Sequence, residues 1–364
     1  MLIRDVTRKL ESWAPLSYQE SYDNAGLITG LQNWEVKGVL VSLDCTEAVV
    51  DDAIKNGCNL IVAHHPIVFS GLKRLNGSNY IERTVIKAIK NDVAIYAIHT
   101  NLDHVYSGVN AKIGDLLGVE NRKVLQPKSN ILLKLVVFCP VKQAESVRLA
   151  MFEAGAGSIG KYDSCSYNVN GEGTFKAGEA TNPFVGEQGE LHTEQEIRIE
   201  TIVTKPDLGK VLSAMTKAHP YEEVAYDVYS LENKHQEVGA GMVGDLPEAI
   251  DSLQFLKQVK ETFKCGSIRY TNLIKPTVQR IAWCGGAGSF LLENAKRAGA
   301  DVYITGDFKY HQFFDADNEL VIADIGHFES EQFTIELIAD FLHQNFSTFA
   351  IRLTEVNTNP IGYL

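Results

Sequence analysis

Two adjacent histidines, His64 and His65, follow a short run of strand-forming residues, 59–63, and precede Pro66. Imidazole is the commonest metal ligand among side chains, and two in succession can serve two ions. A second run, 96–98, leads into His99-Thr100-Asn101-Leu102-Asp103, and a third, 321–325, leads into Gly326-His327-Phe328-Glu329-Ser330-Glu331. Strands that end at the carboxyl edge of a sheet aim their next side chains into the crevice where α/β proteins bind ligands. Any one of these histidines alone would more often be structural. Together, His64, His65, Asp103, His327 and Glu331 fall at the same topological place, so a shared metal site is expected on them. Spacing agrees: a helix beginning near Phe328 puts His327 and Glu331 on one face of its first turn.

Nitrogen and oxygen donors without a thiolate suit Zn, Mn, Fe or Co. Five side chains exceed what a single catalytic ion with an open position takes, so two divalent cations per chain are expected, bridged by Glu331. One would sit on His65, Asp103 and Glu331, the other on His64, His327 and Glu331. Paired ions about 3.5–4 Å apart clamp a displaced group, which makes hydrolysis the default chemistry. His99 and Glu329 are the first candidates for proton transfer, on position. Asp44, Asp307 and His311, at or near strand ends, form a second tier that could orient ligands; alone, each favours a structural role.

The elements that must position these residues alternate. Helices are expected over 6–13, 47–56, 81–91 and 110–117, and strands over 36–43, 59–63 and 93–98. The same grammar returns with helices over 253–263, 289–298, 308–315 and 329–345 and strands over 278–283, 301–305 and 320–325. Such alternation predicts a mostly parallel sheet flanked by helices. Between the blocks, strands over 131–138, 198–205 and 224–231 and helices over 143–154 and 208–218 give a ferredoxin-like α+β order. The stretch 168–195 is rich in Gly, Asn, Glu and Thr and reads as a mobile loop or a long hairpin. Because the ligands come from both blocks, 1–128 and 248–364 should form one discontinuous α/β domain, with 129–247 as an insertion.

Two glycine clusters need separating. Gly155-Ala156-Gly157-Ser158-Ile159-Gly160 matches a dinucleotide pattern but runs from helix to strand, the reverse of the required context, and reads as a turn. Gly285-Gly286-Ala287-Gly288-Ser289 runs from strand to helix, so an anion site and a packing turn are both open. Asp23-Asn24-Ala25-Gly26 reads as a surface turn, and His219-Pro220-Tyr221-Glu222-Glu223 as structural or interfacial.

At 364 residues the chain exceeds a usual single core. Its net charge of −12, with no Lys/Arg run longer than two residues, argues against an extended nucleic-acid partner. The six cysteines form no Cys-x-x-Cys pair and read as reduced core thiols of a cytoplasmic protein. Charges interrupt the amino terminus where a signal peptide would be apolar, and no stretch approaches the roughly 18 apolar residues of a membrane span, so neither export nor membrane association is expected.

Five ordered motifs, Ser21-Tyr22-Asp23-Asn24-Ala25-Gly26, His64-His65-Pro66, His99 to Asp103, Thr305-Gly306-Asp307-Phe308-Lys309-Tyr310-His311 and Gly326 to Glu331, resemble the GTP cyclohydrolase I type 2 family, also called Nif-three-like. The resemblance spans essentially the whole chain. It implies a dinuclear site on His64, His65, Asp103, His327 and Glu331, and it brings Asp23 and His311 into the same cleft, His311 joining His99 and Glu329 as a catalytic candidate. It further implies that the insertion is a PII- or CutA-type ferredoxin-like domain and that the chain forms a toroidal homohexamer. The family name implies opening of the GTP purine ring with formate release, hence a small-molecule, nucleotide-like substrate. Two rivals stay open at this point: a metal-binding or metal-delivering regulatory scaffold, and a phosphoesterase that holds phosphate on Gly285–Ser289.

Overall fold

All four residues of Leu60-Ile61-Val62-Ala63 are fully buried, as a central parallel strand covered on both faces requires. In the computed structural model, which describes residues 1–364, this run is one of the strands whose ends carry the candidate ligands. The first block contains α1 (Ile3–Trp13), β1 (Gly26–Thr29), β2 (Gly38–Ser42), α2 (Glu47–Lys55), β3 (Leu60–Ala63), α3 (Tyr80–Lys90), β4 (Ala94–Ala97), α4 (Thr100–His104), α5 (Val109–Leu116) and β5 (Glu120–Lys128). Caps define the helix starts: the Asn79 side chain accepts the Glu82 amide of α3 at 2.9 Å, satisfying one otherwise orphaned donor.

The middle of the chain forms β6 (Leu132–Pro140), α6 (Ala144–Glu153), β7 (Ser166–Lys176), β8 (Leu191–Thr204), α7 (Leu208–Ala218) and β9 (Tyr226–Ser230). The last block forms β10 (His235–Asp251), α8 (Ser252–Thr262), β11 (Arg269–Tyr270), β12 (Thr277–Ala287), α9 (Leu292–Arg297), β13 (Val302–Gly306), β14 (Val321–Asp324), α10 (His327–Glu331), α11 (Thr334–Asn345) and β15 (Ala350–Leu353).

Two compact units result, Met1–Pro127 with Glu237–Leu364, and Lys128–Gln236. Residues 237–247, placed by the sequence in the insertion, belong instead to the larger unit. The reason is β10, a continuous strand whose Met242–Asp245 pair antiparallel with Arg280–Trp283 of β12.

The larger unit holds two sheets where the sequence suggested one. The first has the order β1-β4-β3-β2-β15 and the second β11-β14-β13-β12-β10-β5. In the first, β15, β2, β3 and β4 run parallel and β1 antiparallel; in the second, β12, β13 and β14 run parallel. One core joins their facing surfaces: Val39, Leu60 and Tyr96 from the first, Ile281, Trp283 and Ile304 from the second, with α1, α5 and α11 supplying Leu10, Ile113 and Ile338. Trp283 is fully buried and its indole donates to the Asn110 carbonyl at 2.7 Å, so its polar end has a partner.

In the smaller unit the sheet order is β7-β8-β6-β9, with all pairs antiparallel. Its helices α6 and α7 bury Val147, Met151, Val211 and Met215 with Leu135, Val137 and Ile199 of the sheet. The stretch 168–195 is a long hairpin, paired from Ser166 opposite Thr201 to Lys176 opposite Leu191. Gly155, Gly157 and Gly160 all have positive φ and shape the turn between α6 and β7.

Two expected helices are shorter than the pattern suggested. The segment 308–315 is a 3-10 helix, Tyr310–Ala316, and 329–345 is broken into α10 and α11.

Candidate metal centre

The ligands arise where the carboxyl ends of the two sheets converge. His64 and His65 continue the ladder of β3, their amides donating to the carbonyls of Ser42 at 3.1 Å and Leu43 at 2.9 Å. Asp103 lies on the single turn α4 beyond β4, and His327 and Glu331 open and close the single turn α10 beyond β14. Short helices gain little from propensity, so tertiary hydrogen bonds fix them. Asp23 holds the start of α4, one carboxylate oxygen accepting His99 Nδ1–H at 2.8 Å and the other the Thr100 amide at 3.0 Å and its hydroxyl. Burial opposes ionisation of Asp23, but these bonds prevail and lower its pKa to about 2.

Each ligand histidine has its tautomer set from behind. His64 Nδ1 lies 2.8 Å from the Ile98 carbonyl, His65 Nδ1 2.8 Å from Asp44 and His327 Nδ1 2.7 Å from Asp307. Carbonyl and carboxylate oxygens accept only, so each Nδ1 carries hydrogen and each neutral ring turns an Nε2 lone pair forward. Thr358, on the carboxyl-terminal tail, in turn donates to Asp44 at 2.6 Å.

Those three Nε2 atoms meet the two carboxylates. His64 Nε2 is 3.6 Å from Asp103 Oδ1 and 3.8 Å from Glu331 Oε1. His65 Nε2 and His327 Nε2 are 3.3 Å apart and lie 3.0 and 3.1 Å from Glu331 Oε2. The distances therefore group His64 with Asp103 at one carboxylate oxygen and His65 with His327 at the other. The division expected from the sequence places His65 with Asp103 and His64 with His327. Chain spacing does not reveal which oxygen of Glu331 faces which ring.

The donors fit a metal site, His64, His65 and Glu331 forming one cluster. His64 Nε2 and Asp103 Oδ1 are buried and have no hydrogen-bond partner, which leaves a large desolvation cost uncompensated. Ligands of a tetrahedral ion with bonds of about 2.1 Å lie ~3.4 Å apart, close to these separations. Electrostatics point the same way. Burial disfavours charge on His65, yet hydrogen bonds to Asp44 and Glu331 raise it to about 9; burial likewise opposes His327, and Glu331 and Asp307 raise it to about 11. Burial pushes Asp103 well above the carboxylate range, the Glu331 charge adding to it.

The glycines at the end of β12 serve packing rather than anion binding. The amides of Gly285, Gly286 and Gly288 donate to Asn110 Oδ1 at 3.1 Å, Ser330 Oγ at 2.9 Å and Thr305 Oγ1 at 2.9 Å, so none is available for phosphate. Gly286 has φ +63°, and a Cβ there would lie 2.5 Å from Glu331 Oε1.

The three catalytic candidates part company. His99 lines the cleft, its ring centroid 5.4 Å from those of both His64 and His65. Glu329 points away from the ligands: its Oε2 packs beneath Gly326 and its Oε1 accepts from Asn359 of the carboxyl-terminal tail at 3.3 Å. His311 is exposed on its 3-10 turn against Tyr310 and Phe314, and it is absent from the cleft lining. Neither position follows from sequence, because both residues lie beside strand ends, yet Glu329 is buried away from the cleft and His311 faces solvent. His219 is also spent structurally, with Nε2 donating to the Phe138 carbonyl at 2.9 Å and Nδ1 accepting the Tyr221 amide at 3.1 Å.

A cleft of about 480 Å³ opens over the ligands. Sequence reasoning missed much of its wall: Tyr22, Phe69 and Phe290, and the tail residues Asn359 to Ile361. The tail has no periodic pattern to reveal it. No Lys or Arg lines the cleft.

Fold and site thus define a mixed α/β protein of several sheets with a His/Glu cluster able to hold metal. The family model Duf34/NIF3 (NGG1p interacting factor 3) matches residues 1–360, and the chain belongs to that family. It is 44% identical over 324 residues to a "GTP cyclohydrolase 1 type 2 homolog" of Halalkalibacterium halodurans, covering 88% of this chain and 87% of the relative. A protein of the same name from Bacillus subtilis is 37% identical, with 99% and 98% covered. Among solved structures, a Bacillus cereus protein related to NIF3 superposes with a TM-score of 0.86 at 38% identity, covering 100% of this chain and 99% of that one. No helix is long and apolar enough to cross a membrane.

Proposed function

We propose that this chain is a metal-dependent hydrolase of a small, nucleotide-like molecule, with two divalent cations, Zn, Mn, Fe or Co, held by five side chains. One position would be formed by His64, Asp103 and Glu331 Oε1, the other by His65, His327 and Glu331 Oε2. The observation that carries this reading is the pair of buried, partnerless atoms His64 Nε2 and Asp103 Oδ1, 3.6 Å apart in front of a shared carboxylate. When bound, such a cation pair supplies Lewis acidity for displacement by water at neutral pH.

The chain's own groups do the rest. Asp23 keeps hydrogen on His99 Nδ1, leaving Nε2 as the nitrogen able to accept a proton, so His99 is the preferred acid-base group. Tyr22, Phe69 and Phe290 are 60%, 49% and 59% exposed at the cleft and offer ring faces to a heterocycle. Without Lys or Arg in the wall, the phosphates of a nucleotide would have only the cations as positive partners. The occupied amides of the glycines at the end of β12 weigh against the phosphoesterase alternative. The relatives' name supports purine-ring opening with formate release as the first reaction to test. We further infer a cytoplasmic homohexamer, on the family resemblance alone, and a ferredoxin-like, PII- or CutA-type insertion, for which the strand order β7-β8-β6-β9 is the support.

The test is elemental analysis of untagged protein together with a nucleotide screen for formate and phosphate. Two ions with formate release, lost in His99→Asn while the ions are retained, is the expected result. Two ions without turnover would replace the hydrolase with a metal-binding scaffold, and absence of ions after loading would overturn the site.

A further inference from the structure

The smaller unit covers its sheet with helices on one face only. On the opposite face, Gly171 and Gly173 of β7 lie across from Glu196 and Glu194 of β8, and the Glu196 carboxylate reaches over Gly173. Residues of the 178–184 segment and Tyr221 to Glu223 flank this face, and together they line an open groove of about 600 Å³. It is separate from the metal cleft and shares no lining residue with it.

Two features give it chemical character. Tyr221 stands between Phe175 and Phe184, with ring centroids 6.1 and 6.3 Å away and planes inclined at 59° and 52°. Three inclined rings make an open-sided box, the arrangement that attracts a cation through ring quadrupoles. Beside them Glu196 is only 9% exposed. Its Oε1 accepts from the Tyr221 hydroxyl at 2.9 Å. A Cβ on Gly173 would lie 2.3 Å from Oε2, so the bare strand is what admits the carboxylate and leaves that oxygen facing the groove. A largely buried carboxylate beside ring faces is complemented by a cation.

The surrounding charge has the same sign. Glu172, Glu222 and Glu223 also line the groove. Its cationic residues are Arg198, which is paired with Glu200 at 3.0 Å, and the exposed Lys176 at the end of β7.

We propose that this groove binds a small organic cation, its ammonium head against Glu196 and its methyl or methylene groups against Tyr221, Phe175 and Phe184. A divalent metal does not suit the place, because both nitrogens of His219 are already engaged and the wall is largely ring surface.

The test uses the full metal-loaded chain and a matched pair of probes, choline and its uncharged carbon isostere 3,3-dimethyl-1-butanol, titrated by calorimetry and by saturation-transfer NMR. Choline should bind saturably at one site per chain and the isostere on the order of tenfold more weakly, as expected where charge rather than size is read. Glu196→Gln and Phe175→Leu should each weaken choline by about tenfold, with metal content and the unfolding profile serving as fold controls. Equal binding of the two probes would overturn the proposal. So would unchanged affinity in either folded variant, or absence of saturable choline binding because a second copy of this chain covers the face.

Discussion

The carbonyl of Ile98 commits His64 to one tautomer, and that commitment leaves Nε2 able only to accept. An accepting nitrogen facing a carboxylate 3.6 Å away calls for either a proton on Asp103 or a cation between the two. Glu331 does for two ligand pairs what Asp103 does for one. The two variants should therefore differ in degree: Asp103→Asn should leave about one bound ion per chain, held by His65, His327 and Glu331, whereas Glu331→Gln should remove nearly all metal. Elemental analysis of both proteins decides this, and equal metal content in the two would show that the carboxylate does not bridge. The same residues set a pH dependence. His65 and His327 have folded pKa values raised to about 9 and about 11. A raised folded value favours the folded state fully below the unfolded pKa near ~6.5, and the benefit is lost as pH climbs through the folded values. Asp103, raised well above its ordinary range, acts in the same direction. Metal-free protein should lose melting temperature steadily between about pH 7 and 11, and saturating metal should flatten the profile because it replaces the protons. A metal-free profile as flat as the loaded one would contradict these assignments.

At the scale of elements, the legible part of the fold is the part with a period or a long apolar run. The strands expected over 59–63, 93–98, 301–305 and 320–325 occur as Leu60–Ala63, Ala94–Ala97, Val302–Gly306 and Val321–Asp324. Since the candidate ligands sit directly beyond such strands, the sequence also pointed to the place where these side chains come together. What was not legible is set by contacts distant in sequence. The four-residue β1 exists because it pairs antiparallel with β4, and α10 is separated from α11 at Gln332 and Phe333, its Ser330 hydroxyl being held by the Gly286 amide at 2.9 Å. The same blindness to orientation explains why Glu329 and His311, though beside strand ends, are not in the cleft. It also hid the role of the glycines at the end of β12, whose function is closeness to Glu331. Gly286→Ala should thus do two kinds of damage, strain at φ +63° and collision with the Glu331 carboxylate. Gly299→Ala, with φ +71° and no atom within 4 Å, isolates the strain alone. Denaturant unfolding should show a loss of about 1 kcal/mol for Gly299→Ala and about 2–4 kcal/mol for Gly286→Ala, and only the latter should shed metal. Retention of two ions by Gly286→Ala would show that Glu331 has freedom to move.

For the whole molecule, the decisive arrangement is how the chain leaves and re-enters the larger unit. It departs along β5 and returns along β10, which are neighbours in one sheet; a Cβ added to Gly239 would lie 2.1 Å from the Gln126 carbonyl oxygen. The two crossing points are therefore side by side, and the intervening residues close their own core of Leu135, Val137, Met151, Ile199 and Met215. None of the metal-ligand candidates, and none of the residues that fix their tautomers, lies between Lys128 and Gln236. Replacing 128–236 by a short Gly/Ser link between Pro127 and Glu237 asks only for a tight connection between adjacent strands, which costs little loop-closure entropy. The shortened chain should stay folded and retain the metal content of the full protein, while losing the choline site and whatever assembly the smaller unit provides. Circular dichroism, elemental analysis and sedimentation on one preparation separate these outcomes. A shortened chain that folds without metal would mean that the smaller unit shapes the site in the assembled protein; one that fails to fold would mean that β5 and β10 cannot hold their edge of the sheet without it.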